Sequence, residues 1–246
     1  MASNTNQYKS VTEEVCGTHI PDGFLSLQVC ALTYAVTAVF WALGFRGVRR
    51  AFDERHVPLL SLLTAMFFAA QMMNFPVIGG STAHLLGGPM LALLLGPYAG
   101  LISMTVIILL QALIFGDGGL STLGANVLNM GIIGVFIPYL VFTVFAKVTR
   151  SKRGLYAGAF LGSFLGDLLA AVSAGFELGL SAPVFQYGIQ VAVAAMVIPH
   201  SIIGIAEGIV TSTIMTVIAK SRPDLLELPK AAPSFFGAWS YSALGS

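Results

Sequence analysis

Charge is what this sequence lacks. Only 9% of its 246 residues are Asp, Glu, Lys or Arg, against 56% hydrophobic, and mean hydropathy is +0.85. A soluble domain carries about 25% charged residues, so this chain has too little polar surface to face water all round. Cysteine is scarce too: Cys30 falls in the first apolar run as a small core residue, and Cys16 lies ahead of it. There is no Walker motif, no GxSxG, no HExxH and no paired-aspartate motif of a prenyl-transferring enzyme. The usual signatures of nucleotide binding and of hydrolysis are therefore missing.

What the chain does have is long, uninterrupted apolar sequence. Runs cover 27–45, 57–79, 98–115, 127–146, 154–176 and 192–219. Each is near or above the roughly 18–20 residues a helix needs to cross a hydrocarbon core. The runs are continuous rather than alternating, which selects helices over a barrel. The fold class is all-α, a polytopic helical membrane protein.

The few charges are unevenly placed. Arg46, Arg49, Arg50 and Arg55 separate the first two runs, and Lys147, Arg150, Lys152 and Arg153 form a second group. Lys220, Arg222 and Lys230 follow the last run, and only Lys9 stands elsewhere. Positive loops stay cytoplasmic, so the expected N-terminus is outside and the C-terminus inside. That alternation requires one more crossing between 79 and 98, as a short or partly re-entrant helix over 85–96, giving seven. The stretch 183–191 is expected along the outer surface. Residues 1–18 have no apolar signal-peptide core and are expected to form an extracytoplasmic extension. Residues 19–226 form the transmembrane domain and 227–246 a cytoplasmic tail.

Polar residues inside spans are costly and mark functional candidates. On this topology many gather toward the outer face: Gln71, Asn74 and Gln111, then Asn126, Asn129 and Glu177, then His200 and Glu207. Each also has a structural explanation. Gln71, Asn74, Gln111 and Asn129 can hydrogen-bond neighbouring helices, Asp167 and Glu207 can bridge helix backbones, and His200 can donate to a carbonyl freed by Pro199. Two outward histidines remain, His19 and His84. Neutral imidazole suits cobalt, nickel, copper and zinc rather than magnesium or calcium.

Particular strings go further. His19-Ile20-Pro21-Asp22-Gly23-Phe24-Leu25-Ser26, Gln71-Met72-Met73-Asn74-Phe75-Pro76-Val77, His84-Leu85-Leu86-Gly87-Gly88, the segments 111–119 and 123–131, Ile203–Gly208 and Arg222–Leu226 occur in this order. Together they resemble the CbiM/NikM family, the substrate-capture components of energy-coupling-factor (ECF) transporters for cobalt and nickel. The resemblance implies seven spans, with the N-terminus outside and inserted into the bundle. It also implies a metal held by nitrogen in nearly square-planar geometry: a terminal amine, the amide and imidazole of a histidine next to it, and a second histidine. His19 and His84 match the two histidines. Gln71, Asn74, Glu207 and Asp22 are expected to orient these ligands.

One departure from the family pattern is at a critical place. The family's mature chain begins Met-His, whereas here eighteen residues precede His19 and Thr18 stands beside it. An internal peptide nitrogen is delocalised into its carbonyl and cannot replace an amine. Three repairs are open: cleavage before Thr18, a thiolate from Cys16, or deprotonated backbone nitrogens of Thr18 and His19. The Cys16 thiolate is favoured.

The function implied is capture of Co2+ or Ni2+, with no catalytic role and no catalytic cofactor. Cobalt is preferred over nickel because the branch without a fused accessory segment is linked to cobalamin biosynthesis. The implied partners are a transmembrane coupling component, ATP-binding cassette ATPases and a small accessory membrane subunit, and the location is the cytoplasmic membrane. The rival readings are a self-sufficient metal channel or secondary transporter, a membrane-embedded metalloenzyme, and a family member that serves as scaffold without capturing metal.

Overall fold

A computed structural model of the chain describes residues 19–73, 75–77, 81–83, 86–236 and 241–245. The described residues are helical apart from short 3-10 turns, connecting loops and one ribbon. Helix α1 (Leu27–Ala51) starts at Ser26, whose hydroxyl accepts from the Val29 amide. It is followed by α2 (Val57–Gln71) and then by the antiparallel ribbon of β1 (Phe75–Val77) and β2 (Ser81–Ala83), where Pro76 faces Thr82. Next come α3 (Gly88–Leu95) and α4 (Pro97–Phe115), whose last turn, Gln111–Phe115, is π-helical. Helix α5 (Leu123–Thr149) has a π segment at Val127–Ile133, and α6 (Lys152–Gly179) and α7 (Ile189–Ser221) complete the bundle.

Five of these helices, α1, α4, α5, α6 and α7, are long and apolar enough to cross a membrane. The other two fall short. The expected run 57–79 stops as a helix at Gln71, and beyond it Pro76, which has no amide and disfavours helix in the residue before it, keeps the chain from resuming one. Over 85–96, where a short or partly re-entrant helix is expected, lies the eight-residue helix α3, which rises about 12 Å at 1.5 Å per residue. All eight of its residues are buried, as an element apolar on every side must be.

Close approach of backbones holds the bundle together. In lipid there is little hydrophobic drive between helices, so small residues set the packing. Gly175 and Gly179 of α6 lie against the backbones of Val193 and Ile189, and Gly208 of α7 lies against Phe160. A Cβ at Gly179 would stand 2.5 Å from Ile189 Cα. Cys30 is buried, as its place in an apolar run suggested.

The two ends of the bundle differ. At one end the segment 19–26, the loop 116–122 and the connection 183–188 pack together. Phe185 turns inward there, its ring 6.5 Å from that of Phe24. At the other end the C-terminal segment folds back onto the helices. Ala231 donates to Leu95 O and accepts from the Tyr98 amide, both at 2.9 Å, across the bend at Gly96. Further on, Gly245 bonds to Arg150 and Lys152. Leu226, Ala231 and Tyr241 are buried in this contact, so apolar side chains explain why the segment docks.

Candidate metal-binding site

The site is built around the non-helical segment that enters at His19. Such backbone brings its own unpaired amides and carbonyls, which must be satisfied where it is buried. Asn126, in the first turn of α5, does this for Ile20 in both directions: its Oδ1 accepts from the Ile20 amide at 2.8 Å, and its Nδ2 donates to the Ile20 carbonyl at 3.0 Å. The Thr122 hydroxyl donates to the same carbonyl at 2.5 Å. Ile20 is 0% and His19 7% exposed.

Two residues further on, the Asp22 carboxylate closes over the loop before α5. It accepts from the Ser121 amide at 2.7 Å, the Ser121 hydroxyl at 2.5 Å and the Leu120 amide at 3.2 Å. The Ser121 hydroxyl, helped by the two amides, holds this carboxyl below its ordinary range despite some burial. The loop can come this close because of Gly118 and Gly119. Gly118 has φ +92°, and a Cβ there would lie 3.4 Å from His19 Nδ1. At Gly119 a Cβ would stand 2.4 Å from Asp22 N and Oδ1.

A second clamp grips the chain where it enters α3. Glu207, midway along α7, accepts from the Leu86 amide on one oxygen and from the Gly87 amide on the other, each at 3.1 Å. Gly87 has φ +67°, a left-handed turn natural to glycine. The Leu86 carbonyl is taken by Gln71 Nε2 at the end of α2. Gln111, in the π turn of α4, donates its Nε2 to Gln71 Oε1 at 3.2 Å. Gln71, Gln111 and Glu207 are all buried.

Of the residues expected to orient the ligands, Gln71 and Glu207 hold the chain at Leu86–Gly87, and Asp22 ties the entering segment, on which it lies, to the loop before α5. Cys16, Thr18, Asn74 and His84 lie outside the described residues. Among the described residues no three His, Cys, Asp or Glu side chains come together as a metal cage. His200 turns its Nδ1 to the Met196 carbonyl at 2.7 Å, one residue past the Ala195 carbonyl that Pro199 frees. Asn126 stood among the outer-face polar candidates without an assigned role, while Thr122 and the Gly118–Gly119 pair were not singled out as site residues from sequence. The available signal was an Asn at the start of a span, four residues after a Thr, beside a glycine pair.

Residues 19–225 match the family model CbiM, cobalt uptake substrate-specific transmembrane region. The chain belongs to the CbiM family. Both clamps and every helix of the bundle fall within the matched range. Relatives in this family include the fused nickel transport protein NikMN of Rhodobacter capsulatus, 39% identical over 230 residues, which cover 88% of this chain and 65% of that protein. The cobalt transport protein CbiM of Geobacter sulfurreducens is 36% identical, over 85% of this chain and 61% of that protein. Among solved structures, a truncated transition metal transporter superposes with TM-score 0.75 at 35% identity, over 82% of this chain and 98% of that one. CbiM-family membership and a bundle of membrane-crossing helices make this a membrane protein of a cobalt and nickel transport family.

Proposed function

We propose that the chain is the metal-capturing, substrate-binding subunit of an ECF-type importer for divalent cobalt or nickel. The observation that carries this reading is the pair of clamps. Asn126, Thr122 and Asp22 fix the backbone directly after His19, while Gln71 and Glu207 fix the backbone two residues after His84. Four buried polar side chains, Thr122, Asn126, Gln71 and Glu207, and the exposed Asp22 hold two chain segments that adjoin His19 and His84 in sequence. That is how a protein pre-organises ligands for a metal that tolerates little distortion.

Nitrogen from His19 and His84 would bind the ion, with the fourth position filled by the Cys16 thiolate or by an amine exposed through cleavage before Thr18. Square-planar nitrogen suits nickel and low-spin cobalt and disfavours tetrahedral zinc. The reading further takes seven crossings, with α2 and the ribbon–α3 passage as the shorter two, His19 at the outer face, and residues 227–246 on the cytoplasmic side. Transport then requires a transmembrane coupling component, partner ATPases and a small accessory subunit, and this subunit performs no catalysis. Cobalt fits the sequence preference, while the nickel protein among the relatives makes nickel the competing cargo.

The test is metal content of the purified chain beside His84→Ala and Cys16→Ala, with intact mass to locate the first residue. Stoichiometric cobalt or nickel in the wild type, lost in His84→Ala, is expected. A folded wild type that binds neither metal would sink the capture reading in favour of a scaffold role. Loading with equal cobalt and nickel decides the cargo.

A further inference from the structure

Apart from the two clamps, a second polar pair lies between α5 and α6. Asn129 is on the π segment of α5 and is 0% exposed; Glu177 is near the end of α6 and is 7% exposed. Asn129 Nδ2 donates to Glu177 Oε2 at 2.8 Å. The Ser173 hydroxyl, one turn earlier on α6, interacts with the same carboxyl. The other two oxygens, Asn129 Oδ1 and Glu177 Oε1, are buried and have no hydrogen-bond partner.

The surroundings do not balance this carboxyl. No Lys or Arg occurs between Arg55 and Lys147 or between Arg153 and Lys220, so no basic side chain is available from most of α4 to α7. The neighbouring wall is apolar: Ala174 and Leu178 of α6 share one core cluster with Ala125 of α5 and with Ile20 of the entering segment. A buried carboxylate in such a place is costly without a positive partner. The π segment adds a second indication, since such distortions sit frequently at functional sites.

We propose that Asn129 Oδ1 and Glu177 Oε1 form a second station for a divalent cation, made of oxygen donors and separate from the nitrogen set at His19 and His84. Amide and carboxylate oxygens are ligands for hard and borderline cations, with water completing the coordination. Oxygen donors hold cobalt and nickel less tightly than imidazole does, so an ion at this station exchanges readily. Residues beside it in sequence share a core cluster with Ile20, the residue after His19.

Manganese is the probe, because Mn2+ favours oxygen donors. The purified full chain, stripped with chelator, is titrated with Mn2+ and free ion is read by electron paramagnetic resonance. Wild type and His84→Ala are both expected to bind Mn2+. Glu177→Gln should weaken binding by about a hundredfold or more, since even residues that only touch a ligand cost 10–100-fold. Asn129→Asp should bind more tightly, and Mn2+ should raise its unfolding temperature more than that of wild type. If the pair were only a helix–helix contact, Asn129→Asp would instead weaken the fold with no rescue by Mn2+. Equal binding in folded Glu177→Gln, or no binding by folded wild type, overturns the station. Loss of Mn2+ in His84→Ala also overturns it, by assigning the ion to the capture site.

Discussion

Asn126 pairs with the backbone of Ile20 on both of its polar groups, at 2.8 and 3.0 Å, across 106 residues of sequence. A side-chain amide matches a peptide group donor to acceptor and acceptor to donor, so Asn126 stands in for a neighbouring strand. This one residue turns a segment outside any helix or sheet into a fixed part of a helical bundle. His19 is positioned as a consequence.

Replacing Asn126 is therefore expected to act on both stability and capture. Asn126→Ala leaves the Ile20 amide buried without a partner, while Thr122 still serves the carbonyl. The cost is about 1–3 kcal/mol, read as a lowered unfolding temperature. Metal affinity, measured by titration, should fall as well. Asn126→Asp should also weaken capture, because its second oxygen faces the Ile20 carbonyl where a donor stood.

Glu207→Gln tests the other clamp with almost no change in size. Both carboxylate oxygens accept backbone amides, and a glutamine must turn an NH2 group toward one of them. Helix content by circular dichroism should be unchanged, while cobalt or nickel affinity drops by about 10–100-fold. Unaltered affinity would remove Glu207 from the positioning of the His84 segment.

Gly119→Ala probes the loop that covers the entering segment. The added carbon would meet Asp22 N and Oδ1 at 2.4 Å, inside any allowed contact. Either the loop or the segment 19–22 must shift, so limited proteolysis should cut near residue 22 faster than in wild type. Gly116→Ala serves as the control. No atom comes within 4 Å of a Cβ at Gly116, so this change carries only its own backbone cost at φ +66°.

Acidity should loosen the site in two steps. Histidine ligands must be deprotonated, so capture weakens as pH falls through about 6.5. The Asp22 anchor behaves differently. Its folded pKa lies below the ordinary 3.8, so its contribution is fully present above that value and is lost only as pH falls through the lower, folded value. Between these two ranges metal should dissociate while the segment 19–22 stays anchored. Hydrogen exchange at the Leu120 and Ser121 amides, followed alongside metal release, separates the two steps.

Much of the fold was legible in the sequence because lipid imposes a simple rule: a span shows itself as an apolar run. Five runs became helices close to their expected limits, from Leu27 to Ser221. Where the rule loosened, the reading strayed. The run 57–79 stayed apolar past Gln71, although the helix ended there, because hydropathy does not register the missing amide of Pro76. Over 85–96 the short helix expected there is α3, with the composition of a span and eight residues of helix, because wholly buried structure needs no span-like length.

The sequence by itself determined that this chain lives in a membrane, that its spans are helices, and that its strings are those of a cobalt and nickel transport family. Each of these follows from composition or from a local string of residues. Only the tertiary structure decided how those strings are held. Asn126 reaches Ile20, Glu207 reaches Leu86 and Gly87, and Asn129 reaches Glu177, across 106, 121, 120 and 48 residues. No periodicity records such partners, because buried polar groups choose one another by where the packed helices place them, not by their distance along the chain.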